Sequence, residues 1–208
     1  MLFRSGKTTI VNLLSRFYEV NSGEILVDER DVRDYNQQSY RSQTAVVMQD
    51  PLLFSGSVQD NIRFSVPDAH PDQVISVCRE LGIHDMISEF PRGYDTEIGE
   101  RGANISIGQK QLLAFARAML RDPRILILDE ASSYLDTRTE ALVQGALQRL
   151  MADRTTIVIA HRLSTIRYAD QIIVVEKGNI IESGTHDSLI HINGAYVRLL
   201  KSQLKLPV

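Results

Sequence analysis

Gly6-Lys7-Thr8-Thr9, with Ser5 just ahead, sets a flexible residue, a cation and two hydroxyls at the start of a helical pattern. In such a turn, backbone N–H groups close around a phosphate, the lysine reaches the β- and γ-phosphates, and a hydroxyl holds Mg²⁺. The positive end of the helix adds to the attraction. Further on, Ile125-Leu126-Ile127-Leu128 is an unbroken apolar run that ends in Asp129 and Glu130. A strand buried on both faces reads this way. It delivers Asp129 to the carboxyl end of a sheet, where the carboxylate can hold Mg²⁺ through water. Glu130 can then orient and deprotonate an attacking water. His161 ends a second β-branched run at the same kind of sheet edge.

Ser106, followed by Gly108 and Gln109, heads another helical stretch. A serine there ordinarily caps its own helix. The same helix end is also a second phosphate-seeking surface. One γ-phosphate has little need of two such ends from one chain, whereas two chains facing head to tail use both.

These residues require particular elements to carry them. Ile10, Val11, Leu13, Leu14 and Phe17 have helical spacing over Thr9 to Tyr18. Gly23–Asp28 and Ala45–Met48 read as strands, the second closed by Gln49-Asp50-Pro51. From Ser57 to Ile87 the pattern is helical, with a loop marked by Pro67 and Pro71. Phe90–Asn104 is a long glycine-rich loop, and a strong helix over Ile107–Leu120 is closed by Asp122-Pro123. Arg138–Met151 is helical, Thr155–Ala160 a buried strand and Ser164–Ala169 a short helix. Lys177-Gly178 between Ile172–Glu176 and Asn179–Ser183 predicts a hairpin, and His186–Leu204 a terminal helix.

Strands alternating with helices predict an α/β fold, a mainly parallel sheet flanked by helices. The helical block from about Ser57 to Leu120 interrupts that alternation and reads as an inserted lobe. The bulk numbers agree with a globular domain: 208 residues, 43% hydrophobic and 24% charged. A net charge of -3 lacks the basic surface of a dedicated nucleic-acid binder. Cys78 is the single cysteine, which excludes an internal disulfide and reads as a small buried residue. No apolar run approaches the roughly 20 residues that span a bilayer.

Taken in order, these motifs resemble the nucleotide-binding domain of an ATP-binding-cassette transporter of the exporter branch. The resemblance runs from Ser5 to the C-terminal helix. Gly6, Lys7, Thr8 and Thr9 match the Walker A loop, Gln49 the Q-loop, and Ser106, Gly108 and Gln109 the signature motif. Asp129 and Glu130 match Walker B, Ser133-Tyr134-Leu135-Asp136 the D-loop, and His161 the switch histidine. Leu53–Ser57 resembles the exporter segment after the Q-loop, and Thr96–Gly102 the loop that contacts the intracellular helices of the membrane domain.

The resemblance implies a P-loop NTPase (RecA-like) core at 1–56 and 121–208 with a helical signature subdomain at 57–120. It implies ATP and Mg²⁺ as ligands, with Ser5 to Thr9, Gln49 and Asp129 around the nucleotide. Thr8, Gln49 and Asp129 would face the metal through a hydroxyl, a side chain or water. Glu130 would be the general base, His161 would touch the γ-phosphate, and Asp136 would carry signals across the dimer. The partners implied are a second nucleotide-binding domain, identical or not, and a transmembrane domain, with the chain at the cytoplasmic face of the membrane. Nucleic acid is not among them.

Several residues depart from the family pattern. Met1 and Arg4 stand where two glycines of the phosphate loop are expected. The strand feeding that loop and a β-rich segment before it are not in the chain, so we expect an N-terminally truncated domain. Glu29 stands where the family turns on a glycine, and Ile107 replaces a small or polar signature residue. Two readings therefore stay open: a working ATPase domain powering export, or a truncated, catalytically weak or silent one. A soluble cassette ATPase of the DNA-repair or translation type is a third, opposed by the loop at Thr96–Gly102.

Overall fold

A computed structural model of the chain describes residues 6–129, 135–160 and 166–203. The chain divides into two compact units, residues 1–32 with 159–208, and residues 33–158.

The first unit opens with α1 (Lys7–Leu14) and a small hairpin, β1 (Leu26–Val27) and β2 (Arg30–Asp31). Sequence periodicity predicted a helix reaching Tyr18. It ends at Leu14 because Arg16 takes a left-handed backbone (φ 52°), and Phe17 and Tyr18 are left exposed. The β1–β2 turn is Asp28-Glu29, both at positive φ (49° and 63°). This is the two-residue hairpin geometry that favours Asn-Gly or Asp-Gly, and Glu29 occupies the glycine-preferring place.

In the second unit come α2 (Gln37–Ser42), β3 (Thr44–Val47), β4 (Gly56–Ser57), α3 (Val58–Arg63), α4 (Pro71–Glu80), α5 (His84–Ser88), β5 (Glu97–Ile98), α6 (Ile107–Arg121), β6 (Ile125–Asp129), α7 (Thr137–Met151) and β7 (Thr155–Ile159). Strand order in its main sheet is β3-β6-β7, with β3 and β6 parallel. Helices α3 to α6 fall between these two paired strands, as the interrupted alternation predicted. Three of the four starts are locally encoded. Ser57 with Asp60, His70 with Gln73 and Ser106 with Gln109 form capping boxes at α3, α4 and α6. One core joins the sheet to these helices through fully buried Val58, Ile62, Leu112, Leu126 and Leu150. Cys78 is buried in it, and that desolvation pushes its thiol up to about 11.

The chain then returns to the first unit with β8 (Ile172–Glu176), β9 (Asn179–Gly184), α8 (His186–Ile192) and α9 (Ala195–Gln203). Lys177 (φ 50°) and Gly178 (φ 81°) make the expected hairpin turn. The single terminal helix predicted from His186 is two, broken at Asn193 (φ 53°) and Gly194. Glu182 of β9 restarts it by accepting hydrogen bonds from the Ala195 and Tyr196 amides. Val174, Leu189, Tyr196 and Leu200 form the small core beneath. Of the short helix read over Ser164–Ala169, Ile166 and Arg167 are helical and the first two residues lie outside the described residues.

Candidate functional site

Gly6 stands at the head of α1 with φ 86° and ψ 0°, and no side chain caps that end. Its carbonyl takes the first helical hydrogen bond, from the Ile10 amide at 3.0 Å. The amides of Lys7, Thr8 and Thr9 therefore have no acceptor within the helix. No acid lies in the first turn, and all three side chains are exposed. A cation, two hydroxyls and a turn of outward N–H groups share one exposed helix end, which is an anion-seeking surface. Space around Gly6 is not limiting, since an added Cβ would lie 3.8 Å from the nearest atom, Gly178 Cα. The backbone angle is what asks for glycine. Ser5 lies outside the described residues.

In the second unit, β3 and β6 run side by side in register, Thr44 opposite Ile125 and Val47 opposite Leu128. Both strands end together. Asp129 is the last residue of β6, and Gln49 leaves β3 two residues past Val47. An amide and a carboxylate thus sit at the carboxyl ends of adjacent parallel strands, the edge where open α/β sheets take ligands. Leu126, Ile127 and Leu128 are buried while Asp129 is partly exposed, so the apolar run anchors the strand and presents the acid. Glu130 and His161 fall outside the described residues, as do Ser133 and Tyr134.

Ser106 caps α6. Its hydroxyl accepts from the Gln109 amide at 3.2 Å, and its own amide donates to Gln109 Oε1 at 2.9 Å. The capping role read from sequence is real, and it leaves the hydroxyl proton of exposed Ser106 uncommitted to the cap. Gly108 has another duty. A Cβ there would run into Thr139 and Leu135, so its lack of a side chain lets α6 and α7 approach closely. Asp136 caps α7, accepting from the Thr139 amide at 3.0 Å. Hydrogen bonds from Thr139 hold its carboxyl below the usual carboxylate range. Gly108 and the segment from Leu135 to Thr139 are therefore in direct contact. Ile107, between Ser106 and Gly108, is 56% exposed.

The two stretches that resembled exporter segments meet. Gly56 pairs with Ile98 and Ser57 with Glu97, an antiparallel ribbon of β4 and β5. Asn104 ties its far end by accepting from the Gly99 amide and donating to the Glu97 carbonyl. Lys110 of α6 holds the left-handed Arg101 through its carbonyl at 2.8 Å. Beside the ribbon, Phe54 and Phe64 stack at 4.2 Å, and Arg117 of α6 lies over both rings at 5.6 and 5.5 Å. Sequence reading missed Phe64, Asn61 and Arg117. A buried asparagine inside a short helix was the available signal, since Asn favours caps over helix interiors.

Residues 5–133 match the protein family described as ABC transporter. The chain belongs to that family. Over 200 residues it is 49% identical to ABC transporter B family member 2 of Dictyostelium discoideum, covering 96% of this chain and 14% of that protein. It is 50% identical over 198 residues to a Staphylococcus aureus ATP-binding/permease protein assigned by its name to multidrug export, covering 95% and 34% respectively. A bacterial Atm1-family ABC exporter solved with ATP bound superposes with a TM-score of 0.87 at 41% identity, over 96% of this chain and 35% of the exporter.

The chain thus spans about a third or less of the length of these relatives. Membership brings the P-loop NTPase fold of ABC domains, with ATP as the ligand and ATP hydrolysis as the activity general to the family. Among the described residues, no helix is long and apolar enough to cross a membrane.

Proposed function

We propose that this chain is the ATP-binding and hydrolysing domain of an exporter. It works by ATP-driven head-to-tail pairing with a second such domain, homo- or heterodimeric. The observation that carries the reading is the ordered motif set, with Gln49 and Asp129 ending adjacent parallel strands and Ser106 heading a capped, exposed helix end. In this reading the RecA-like core is 1–56 and 121–208, and the helical signature subdomain is 57–120.

Lys7 and the amides of the first turn of α1 hold the β- and γ-phosphates, together with Ser5. The Thr8 hydroxyl, the Gln49 amide oxygen and the Asp129 carboxylate are hard oxygen donors, a set that suits Mg²⁺ shared with phosphate. When bound, Mg²⁺ would supply charge neutralisation at the phosphate oxygens, with Thr8, Gln49 and Asp129 as the residues that would hold it. Glu130 accepts the proton of a water whose oxygen forms a new bond to the γ-phosphorus. The bond from that phosphorus to the β–γ bridging oxygen breaks, and ADP leaves with its electron pair. His161 touches the γ-phosphate. Ser106, Gly108 and Gln109 close on the ATP of the partner copy. ATP stabilises the closed pair and ADP does not, so each turnover opens it.

The export partner is a transmembrane domain outside this chain, which places the chain at the cytoplasmic face of a membrane. Support comes from the β4–β5 ribbon and from Leu52 and Phe64, apolar side chains 57% and 56% exposed beside it. One observation favours a weak or silent domain instead: exposed Ile107 sets a β-branched apolar side chain between Ser106 and Gly108.

The test is Mg-ATP hydrolysis by the purified chain and by Glu130→Gln. A loss of about a hundredfold or more in the variant, with nucleotide binding kept, is expected of a general base. Absence of nucleotide binding by the unaltered chain at millimolar ATP gives the case to the silent reading.

A further inference from the structure

Asn61 is 2% exposed in the middle of α3, and every hydrogen-bonding position of its amide is used. Its oxygen accepts from the Phe54 amide at 2.9 Å and from Arg117 Nη2 at 3.3 Å. Its nitrogen donates to the Phe54 carbonyl at 2.8 Å and the Ser57 carbonyl at 3.1 Å. One side chain thus binds both backbone groups of Phe54, as a neighbouring strand would.

Arg117 completes the arrangement from α6. Nε donates to the Asn61 carbonyl and Nη1 to the Leu52 carbonyl, each at 2.9 Å. Ser65, just past α3, donates its hydroxyl to the Arg117 carbonyl at 2.9 Å. All the acceptors recorded for this guanidinium are neutral, and its remaining surface lies over Phe54 and Phe64. An ion pair that only stabilised the surface would not be built this way. A planar fork reading two separate carbonyls fixes their relative position, which a lysine point charge cannot do.

The geometry lies between two residues that matter. Leu52 is three positions beyond Gln49. Arg117 is in the same helix that Ser106 heads, and a continuous hydrogen-bonded helix transmits displacement as a rod. We propose that Asn61 and Arg117 are positioning residues forming a clasp, which makes the segment after Gln49 and the helix headed by Ser106 move as one body. The inference rests on the proposed ATP cycle for its purpose, since it gives the strand end at Gln49 a mechanical line to the Ser106 cap. The clasp itself exists without nucleotide.

Amide-resolved hydrogen exchange on the full 208-residue chain separates the two ideas. Arg117→Lys keeps the charge and loses the fork. We expect the Phe54 amide to exchange about tenfold to a hundredfold faster, while Ala114 and its neighbours in α6 keep their rates. Ile62→Val, which thins the same core without touching the clasp, should shift both regions by one common factor. In the unaltered chain, Mg-ATP should change protection of residues 52–57 and of Gln109 together, and in Arg117→Lys of only one of them. Asn61→Ser, opening the clasp from the other side, should reproduce the split.

Unchanged exchange at Phe54, or a uniform rise like that of Ile62→Val, overturns the clasp in either variant. If the unaltered chain does not respond to Mg-ATP, the nucleotide reading fails and the clasp is decided by the nucleotide-free arm.

Discussion

Two helix starts, at Gly6 and at Ser106, present the same kind of surface in opposite states. The α1 end has no side-chain cap and a left-handed glycine. The α6 end has a complete capping box, with an extended Ser106 at φ -66° and ψ 160°. At α1 no side chain of the helix start makes a cap hydrogen bond. At α6 the cap is made within the chain, and the hydroxyl is held in place before any ligand arrives. In the proposed cycle one end would receive the chain's own nucleotide and the other would close on the partner's. The two glycines differ in the same sense. Gly6 is needed for its backbone angle and Gly108 for the room it leaves, because an added Cβ makes an ordinary contact at one and runs into Thr139 and Leu135 at the other.

Substituting both glycines with alanine is the strongest way to break that contrast. Gly108→Ala forces Thr139 and Leu135 aside, and we expect a loss of about 2 kcal/mol in urea unfolding. Gly6→Ala makes only an ordinary contact with Gly178 and should cost about 1 kcal/mol for its left-handed angle, while weakening nucleotide binding much more than its stability effect suggests. Equal losses of stability at the two positions would erase the distinction.

The cap itself gives a finer test. Ser106→Ala should cost about 1 kcal/mol. Ser106→Asp keeps the cap and hence the melting temperature, yet should abolish ATP-dependent pairing, because a carboxylate faces the partner's phosphates. A smaller effect sharpens the left-handed criterion alone. Glu29→Gly should raise stability by roughly 0.5–1 kcal/mol by relieving the β1–β2 turn.

The smallest effect concerns Asp136, which caps α7. Its folded pKa lies below the ordinary 3.8, so its contribution is fully present above that value and is lost as pH falls through the lower folded value. Asp136→Asn should flatten this acid limb in the exchange of the Thr139 amide, and at neutral pH should bring that exchange slightly up toward the rate the unaltered chain shows in acid.

Much of this was legible in sequence because it was local. The apolar run before Asp129, the Lys177-Gly178 turn and the serine heading α6 each state their structure within a few residues. What escaped was of two kinds. The end of α1 at Leu14 depends on a left-handed Arg16, for which no glycine gave warning, whereas Asn193-Gly194 did advertise the break between α8 and α9 and was overlooked. The Asn61–Arg117 bonds join positions far apart in the chain, and no periodicity records such pairs. The same holds for the β4–β5 ribbon, although both of its segments had been singled out separately.

That ribbon has a last consequence. Gly56 and Ile98 are bonded neighbours, so everything from α3 to α5 is an excursion that leaves and re-enters at one point. Lengthening the turn between Pro67 and His70 adds only the slow logarithmic penalty of a longer loop. The reach from Gln49 to Ser106 stays as it was. The segment from α3 to α5 can therefore change length at that turn, or accept a grafted peptide, without altering the β4–β5 pairing.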